Sequence, residues 1–256
     1  MNLKKDQLEI KLFSSREDMG RAAACDITDC IKKLLLEKEE MNIIFAAAPS
    51  QKEVLHDLCS SDVEWSRVNA FHMDEYIGLP SDAPQCFSNF LRKAIFDQLP
   101  FKTVNYMNSS AQTVTDECRR YANLLAKNPV DIVIMGIGEN GHIAFNDPHV
   151  ADFKDPETVK LVSLDEVCRR QQVNDGCFET LEDVPSIAMT ITIPALMQAE
   201  YHFCIVPGKT KANAVQKTLY GDIAESCPAT ILRTKKHSVL YCDAESSIFL
   251  HSEDFQ

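Results

Sequence analysis

Four short segments carry residue types that chemistry needs. Phe71-His72-Met73-Asp74-Glu75-Tyr76 closes an apolar run with two adjacent carboxylates. Neighbouring side chains on a strand point to opposite sides, so one carboxylate can serve as a general base while the other turns away. The same pair also reads as a solvated turn, and His72 reads as a packing residue. Gly136-Ile137-Gly138-Glu139-Asn140-Gly141-His142-Ile143-Ala144-Phe145-Asn146-Asp147-Pro148 sets a histidine among glycines, amides and carboxylates. Glycine lets a backbone approach a ligand closely or adopt positive φ, and an imidazole with such neighbours suits proton transfer near neutral pH. No helical pattern opens after its third glycine, so it is no dinucleotide fingerprint. A metal site through His142, Asp147 and His149 has irregular spacing, and no metal is expected.

The other two segments suit an anion. Ala46-Ala47-Ala48-Pro49-Ser50-Gln51 runs from a strand end into a helix start, where free N–H groups and the helix dipole attract phosphate. Val206-Pro207-Gly208-Lys209-Thr210-Lys211 contains Gly-Lys-Thr without the rest of the P-loop spacing, so a nucleotide reading fails. A lysine at a helix N-terminus opposes the dipole, and a bound anion would compensate it.

These segments need strands to end on. Asn42–Ala48 and Val130–Met135 are continuous apolar runs of strand length, which suits strands buried on both faces. Further strands are expected at Arg67–Met73, Val104–Met107, Thr158–Leu164, Ile187–Ile191, Tyr201–Val206 and Ser238–Cys242. Between them the spacing predicts helices at Pro49–Leu58, Phe87–Leu99, Thr115–Lys127, Ile193–Gln198 and Thr210–Tyr220. A first helix follows the capping signal Ser14-Ser15-Arg16-Glu17 and runs to about Lys38. Strands alternating with helices imply an α/β fold, Rossmann-like and doubly wound, with a mainly parallel sheet and helices on both faces. Ligands of such sheets sit beyond the carboxyl ends of the strands, where all four segments fall. No linker or repeat divides residues 1–256, so a single domain is expected.

Composition narrows the function. With 26 Lys+Arg against 38 Asp+Glu the formal charge is −12, which argues against nucleic acid as a partner. Hydrophobic residues at 45% and charged residues at 25% are those of an ordinary globular protein. No apolar stretch is long enough to span a membrane, and the charged first ten residues lack a signal-peptide core, so a cytoplasmic protein is expected. The ten cysteines form no C-x-x-C pair and read as buried free thiols.

Together the segments resemble the glucosamine-6-phosphate deaminase/isomerase family. Met73 to Leu79 is similar to its MDEY(V/I)GL signature, and Gly136 to Pro148 to its glycine-rich G-H-(I/L) signature. The resemblance runs in order over nearly the whole chain. It implies conversion of a 2-amino-2-deoxyhexose 6-phosphate (glucosamine or galactosamine 6-phosphate) and water to a ketohexose 6-phosphate and ammonia, without a cofactor. It leaves room for a homo-oligomer. It assigns Asp74 as the base between C2 and C1, and His142, with Asn140 and Asp147, as the ring-opening group. Lys211 would bind the phosphate, with Ala48, Ser50, Gln51 and Gly138 lining the site and Tyr76 in the pocket. The family's usual carboxylates beside the histidine are here Asn140 and the shorter Asp147. Its phosphate-binding arginine has no clean match: Gln172 falls at the apparent place, with Arg169 and Arg170 nearby. The serine pair of allosterically regulated relatives is replaced by His149-Val150-Ala151. Two alternatives remain. A 6-phosphogluconolactonase-like hydrolase would carry Ser-Leu-Phe-Pro where this chain has Phe145-Asn146-Asp147-Pro148. A non-catalytic sugar-phosphate binder would not need both Asp74 and His142.

Overall fold

Short strands that are apolar on both faces need helices above and below them, and the chain supplies these in alternation. In the computed structural model, which describes residues 2–251, the elements are β1 (Asn2–Lys5), β2 (Leu8–Leu12), α1 (Arg16–Glu37), β3 (Met41–Phe45), α2 (Lys52–Leu58), β4 (Val68–His72), β5 (Asp74–Tyr76), α3 (Phe87–Leu91), β6 (Thr103–Asn105), α4 (Val114–Lys127), β7 (Ile132–Met135), β8 (Val159–Ser163), α5 (Glu166–Asn174), β9 (Ile187–Ile191), α6 (Ile193–Leu196), β10 (Tyr201–Val206), α7 (Ala212–Tyr220) and β11 (Ser238–Cys242).

Eight strands form one sheet in the order β1-β2-β11-β10-β7-β3-β4-β6. All pairings are parallel except that of β1 with β2. From β3 the chain winds outward through β4 and β6, then returns to place β7 on the other side of β3 and winds outward again through β10 and β11. The reversal opens a crevice at the carboxyl ends of β3 and β7, the usual ligand position in such sheets. Side-chain alternation divides the core. Ile43, Phe45, Ile132 and Ile134 pack with α1, α2 and α3 on one face, whereas Ile44, Val133 and Met135 pack with α4, α6 and α7 on the other.

Several boundaries and elements differ from the sequence reading. The cap of α1 is Ser15, which accepts from the Asp18 N–H at 3.0 Å, one residue later than Ser14-x-x-Glu17 suggested. The helix from Phe87 narrows to α3 and ends in a π-helical turn over Arg92–Phe96. The N-terminal hairpin β1–β2, a small antiparallel sheet of order β5-β9-β8, and α5 were not anticipated. Most cysteines are buried free thiols, although Cys25 is exposed. Among the described residues no helix is long and apolar enough to cross a membrane.

Candidate active site

The ends of β3, β4, β7 and β10 open into one cavity of about 530 Å³. Asp74, Gly138, His142, Ala48, Ser50 and Lys211 all line it. The crevice therefore gathers residues that lie far apart in the chain, as strand-end placement required.

Asp74 is held by its neighbours rather than by its own side chain. The Tyr121 hydroxyl on α4 donates to the His72 carbonyl (2.9 Å) and accepts from the His72 N–H (3.0 Å), fixing the end of β4. His72 Nδ1 donates to the Asp74 carbonyl at 2.9 Å, while Nε2 accepts from the Met107 N–H at 2.8 Å. Those partners define a neutral ring, and burial holds its pKa down. His72 is thus a brace, as its apolar setting suggested. Glu75 turns away from the cavity and accepts N–H groups of Tyr76, Phe87 and Ser88 at 2.9–3.0 Å, an anion at the start of α3. The Asp74 carboxyl makes no hydrogen bond among the described residues and faces the cavity at 6% exposure. Burial first, then the Glu75 charge, pushes its pKa well above the usual carboxylate range.

His142 sits on a loop shaped around its ring. A Cβ on Gly138 would lie 2.2–2.4 Å from three of the ring atoms, so the absence of a side chain there lets the imidazole lie against the backbone. Gly141 takes φ +86° and Ala144 takes φ +51° to turn the loop. His142 Nδ1 and Asp147 Oδ1 lie 2.8 Å apart, and the Asn140 side-chain amide donates to the same oxygen at 2.8 Å. The Asn140 side-chain oxygen Oδ1 accepts the His142 backbone N–H. Burial raises the Asp147 pKa, but the His142 charge and the hydrogen bonds from His142 and Asn140 outweigh it, bringing it down to about 2. Asp147 and Asn140 therefore stand behind the imidazole and orient it, outside the cavity wall. The Cys168 thiol of α5 lies beside them. Donor atoms of His142, Asp147 and Cys168 fall within 4.8 Å of one another, a spacing that could hold a metal ion. His149 is not part of it: its ring bonds the Ser163 carbonyl and pairs with Asp165.

The opposite part of the cavity wall is built by the segments that follow β3 and β10. Lys211 is 6% exposed and lines the cavity, and its ammonium has no hydrogen-bond or ion-pair partner among the described residues. Burial lowers its pKa, while Asp175 and Glu139 oppose that shift. Gly208, at φ +91°, donates its N–H to both Asp243 oxygens at 3.0–3.1 Å and so fixes the loop before Lys211.

Three sequence assignments change. Gln51 is fully buried and outside the wall; its amide donates to Ser50 Oγ (3.1 Å) and the Ile205 carbonyl (3.2 Å), tying the Ser50 loop to β10. Tyr76 lies behind the cavity, packed against Phe87, Phe145 and Phe178, because β5 pairs with β9 and buries it completely. Arg169 points to the far side of α5 and donates to the carbonyls of Val184 and Leu181, and Arg170 pairs with Glu166 on the surface. Gln172 does line the cavity, with Gln171 and Asp175 beside it. Sequence reasoning placed Gln172 near the phosphate but missed Gln171 and Asp175, the residue that caps α5, and it missed Arg16, which reaches the cavity from the first turn of α1.

Comparison with known proteins defines the class. Residues 14–241 match the family described as glucosamine-6-phosphate isomerases/6-phosphogluconolactonase, and the chain belongs to that family. Within it, the chain is 36% identical over 239 residues, 93% of its length, to a glucosamine-6-phosphate deaminase of Bacillus cereus (strain B4264), covering 88% of that protein. The same identity and coverage hold for a glucosamine-6-phosphate deaminase of Bacillus thuringiensis (strain Al Hakam). Among solved structures, a monomeric glucosamine-6-phosphate deaminase superposes with a TM-score of 0.86 at 27% identity, covering 94% of this chain and 99% of that one. A 6-phosphogluconolactonase from Trypanosoma brucei shares the fold, with a TM-score of 0.78 at 18% identity over 97% of this chain and 100% of that one.

Proposed function

We propose that the protein converts glucosamine 6-phosphate and water to a ketohexose 6-phosphate and ammonia, with galactosamine 6-phosphate as the alternative epimer. One observation carries this reading: a single cavity is shared by a partnerless buried carboxyl, Asp74, a carboxylate-oriented imidazole, His142, and a partnerless buried ammonium, Lys211. Lys211 and Ser50 take the phosphate. His142, with Asp147 and Asn140 behind it, moves a proton between O1 and the ring oxygen as the sugar opens. Asp74 then takes the C2 proton and delivers it to C1. That shift leaves a C2=N imine, water adds at C2, and the C2–N bond breaks as C2=O forms and the nitrogen leaves as ammonia. The substrate's own ammonium beside Asp74 favours the carboxylate that this step needs. A charged, membrane-impermeant substrate accords with a cytoplasmic protein.

The test is ammonia release from glucosamine 6-phosphate and galactosamine 6-phosphate, side by side with hydrolysis of 6-phosphogluconolactone. Ammonia from either amino sugar is the expected result. Lactone hydrolysis without ammonia release would overturn the reading in favour of the hydrolase.

A further inference from the structure

The phosphate side of the cavity is short of donors. Pro49 has no N–H, so the Ala48-Pro49-Ser50 loop offers one backbone donor fewer to an anion than another residue there would allow. Neither Arg169 nor Arg170 reaches the cavity, and Gln172 carries no charge. Among the described residues, the arginine and lysine side chains lining the cavity are Lys211 and Arg16.

Arg16 is held where such a donor is needed. Its Nη2 donates to the Pro49 carbonyl at 2.5 Å, and its Nε lies 2.8 Å from Glu53 Oε1. Nη1 has no partner among the described residues, and the side chain is 36% exposed. Gly20 lies one turn along the same face of α1. A Cβ on Gly20 would lie 2.5 Å from Glu53 Cβ, so its absence lets α1 close on α2 and brings Arg16 to the loop.

We propose that Arg16 is a phosphate-binding residue, supplying from α1 the guanidinium contact to the substrate's 6-phosphate that α5 does not provide. This rests on the reading that the substrate is a sugar 6-phosphate. With Pro49 and Glu53 holding two edges of the fork, the remaining Nη1 hydrogens and the Lys211 ammonium converge on one anion beside Ser50. A preorganised guanidinium loses little freedom on binding, and its planar donors match phosphate geometry.

The test is calorimetric titration of wild type, Arg16→Met, Arg16→Lys and Glu53→Gln with glucitol 6-phosphate and inorganic phosphate, alongside kcat and KM for ammonia release. Arg16→Met is expected to weaken both phosphates by about tenfold or more, raising KM with kcat largely kept. Arg16→Lys restores part of the loss. Glu53→Gln weakens phosphate less than Arg16→Met does, because the guanidinium remains and the Pro49 carbonyl still holds one edge of it. Unchanged affinity in Arg16→Met, or an equal loss in Glu53→Gln, would overturn the proposal, the second by making Arg16 a loop brace. A wild type that binds neither phosphate would overturn it too. Loss of glucitol 6-phosphate binding in Arg16→Met, with no ammonia from any amino sugar phosphate, would keep Arg16 and reject the deaminase. Ammonia release with an unaltered KM in Arg16→Met would do the reverse.

Discussion

Replacing Gly138 with alanine isolates the role of the imidazole. The added Cβ would sit 2.2–2.4 Å from the His142 ring, whereas carbon contacts settle near ~3.5 Å. The ring must therefore move by roughly 1 Å or change rotamer. Its 2.8 Å contact with Asp147 does not survive such a shift. Asp147 is fully buried, so losing that partner costs about 1–3 kcal/mol of stability, and a displacement of this size costs roughly 10²-fold in kcat. KM changes little, because Ser50 and Lys211 are untouched. Gly138 does not have positive φ, so backbone strain adds nothing to the effect. Gly78 provides the contrast. It sits at φ +95° with open space around it, so Gly78→Ala costs about 1–2 kcal/mol in stability and leaves kcat alone. The assays are steady-state ammonia release and thermal unfolding on the same preparations. A Gly138→Ala enzyme keeping kcat within about threefold would refute the orientation of His142 by Asp147.

Asp74→Asn should lower kcat by ~10²–10⁴-fold while glucitol 6-phosphate binding persists; a large KM rise at unchanged kcat would make Asp74 a binding group only. Because the folded pKa of Asp74 is raised, its contribution to stability is full below the ordinary carboxylate pKa and lost as pH rises through the raised value, so Asp74→Asn should raise Tm at neutral pH and much less near pH ~3, by calorimetry. Asp147 has the opposite sign: held down at about 2, it contributes roughly 2 kcal/mol above the ordinary carboxylate pKa of ~4, and acid titration should show this lost as pH falls toward its folded value, but not in Asp147→Asn. Lys211→Ala should raise KM by about tenfold or more, whereas exposed Lys209→Ala leaves it unchanged; equal effects would show that the buried ammonium does not meet the phosphate.

The central strands were readable because nothing competes with burial there. Ile43 to Phe45 and Ile132 to Met135 are apolar on both faces, and only a covered sheet accommodates that pattern. Elements that stayed hidden use other residues. The buried face of α5 is Cys168, Gln171 and Gln172 while Val167 is exposed, so the helix has almost no apolar stripe. Its local signal is the Asp165 cap, which accepts the Cys168 N–H at 2.8 Å. The β1–β2 hairpin turns at Asp6, φ +53°, which an aspartate tolerates without glycine. Three buried side chains, Leu3, Leu8 and Ile10, attach it to the sheet.

The site shows the same division between local and distant information. Asp74, His142 and Lys211 could be read from strand ends because a parallel sheet brings those ends together whatever the loops contain. Which neighbours touch a ligand and which only hold the wall depends on contacts made far along the chain. Gln51 binds Ile205 across 154 positions, and Tyr121 holds His72 across 49. Arg16 shows this most clearly. In sequence it is an ordinary charge in the first turn of an amphipathic helix, where a cation opposes the dipole. Its placement depends on Gly20 admitting α2 and on Pro49 presenting a carbonyl 33 positions away. The proline that lacks an N–H and the arginine held by that proline's carbonyl meet only in the folded chain. Sequence reading weighs each position with its neighbours and so does not set the guanidinium of Arg16 beside Pro49.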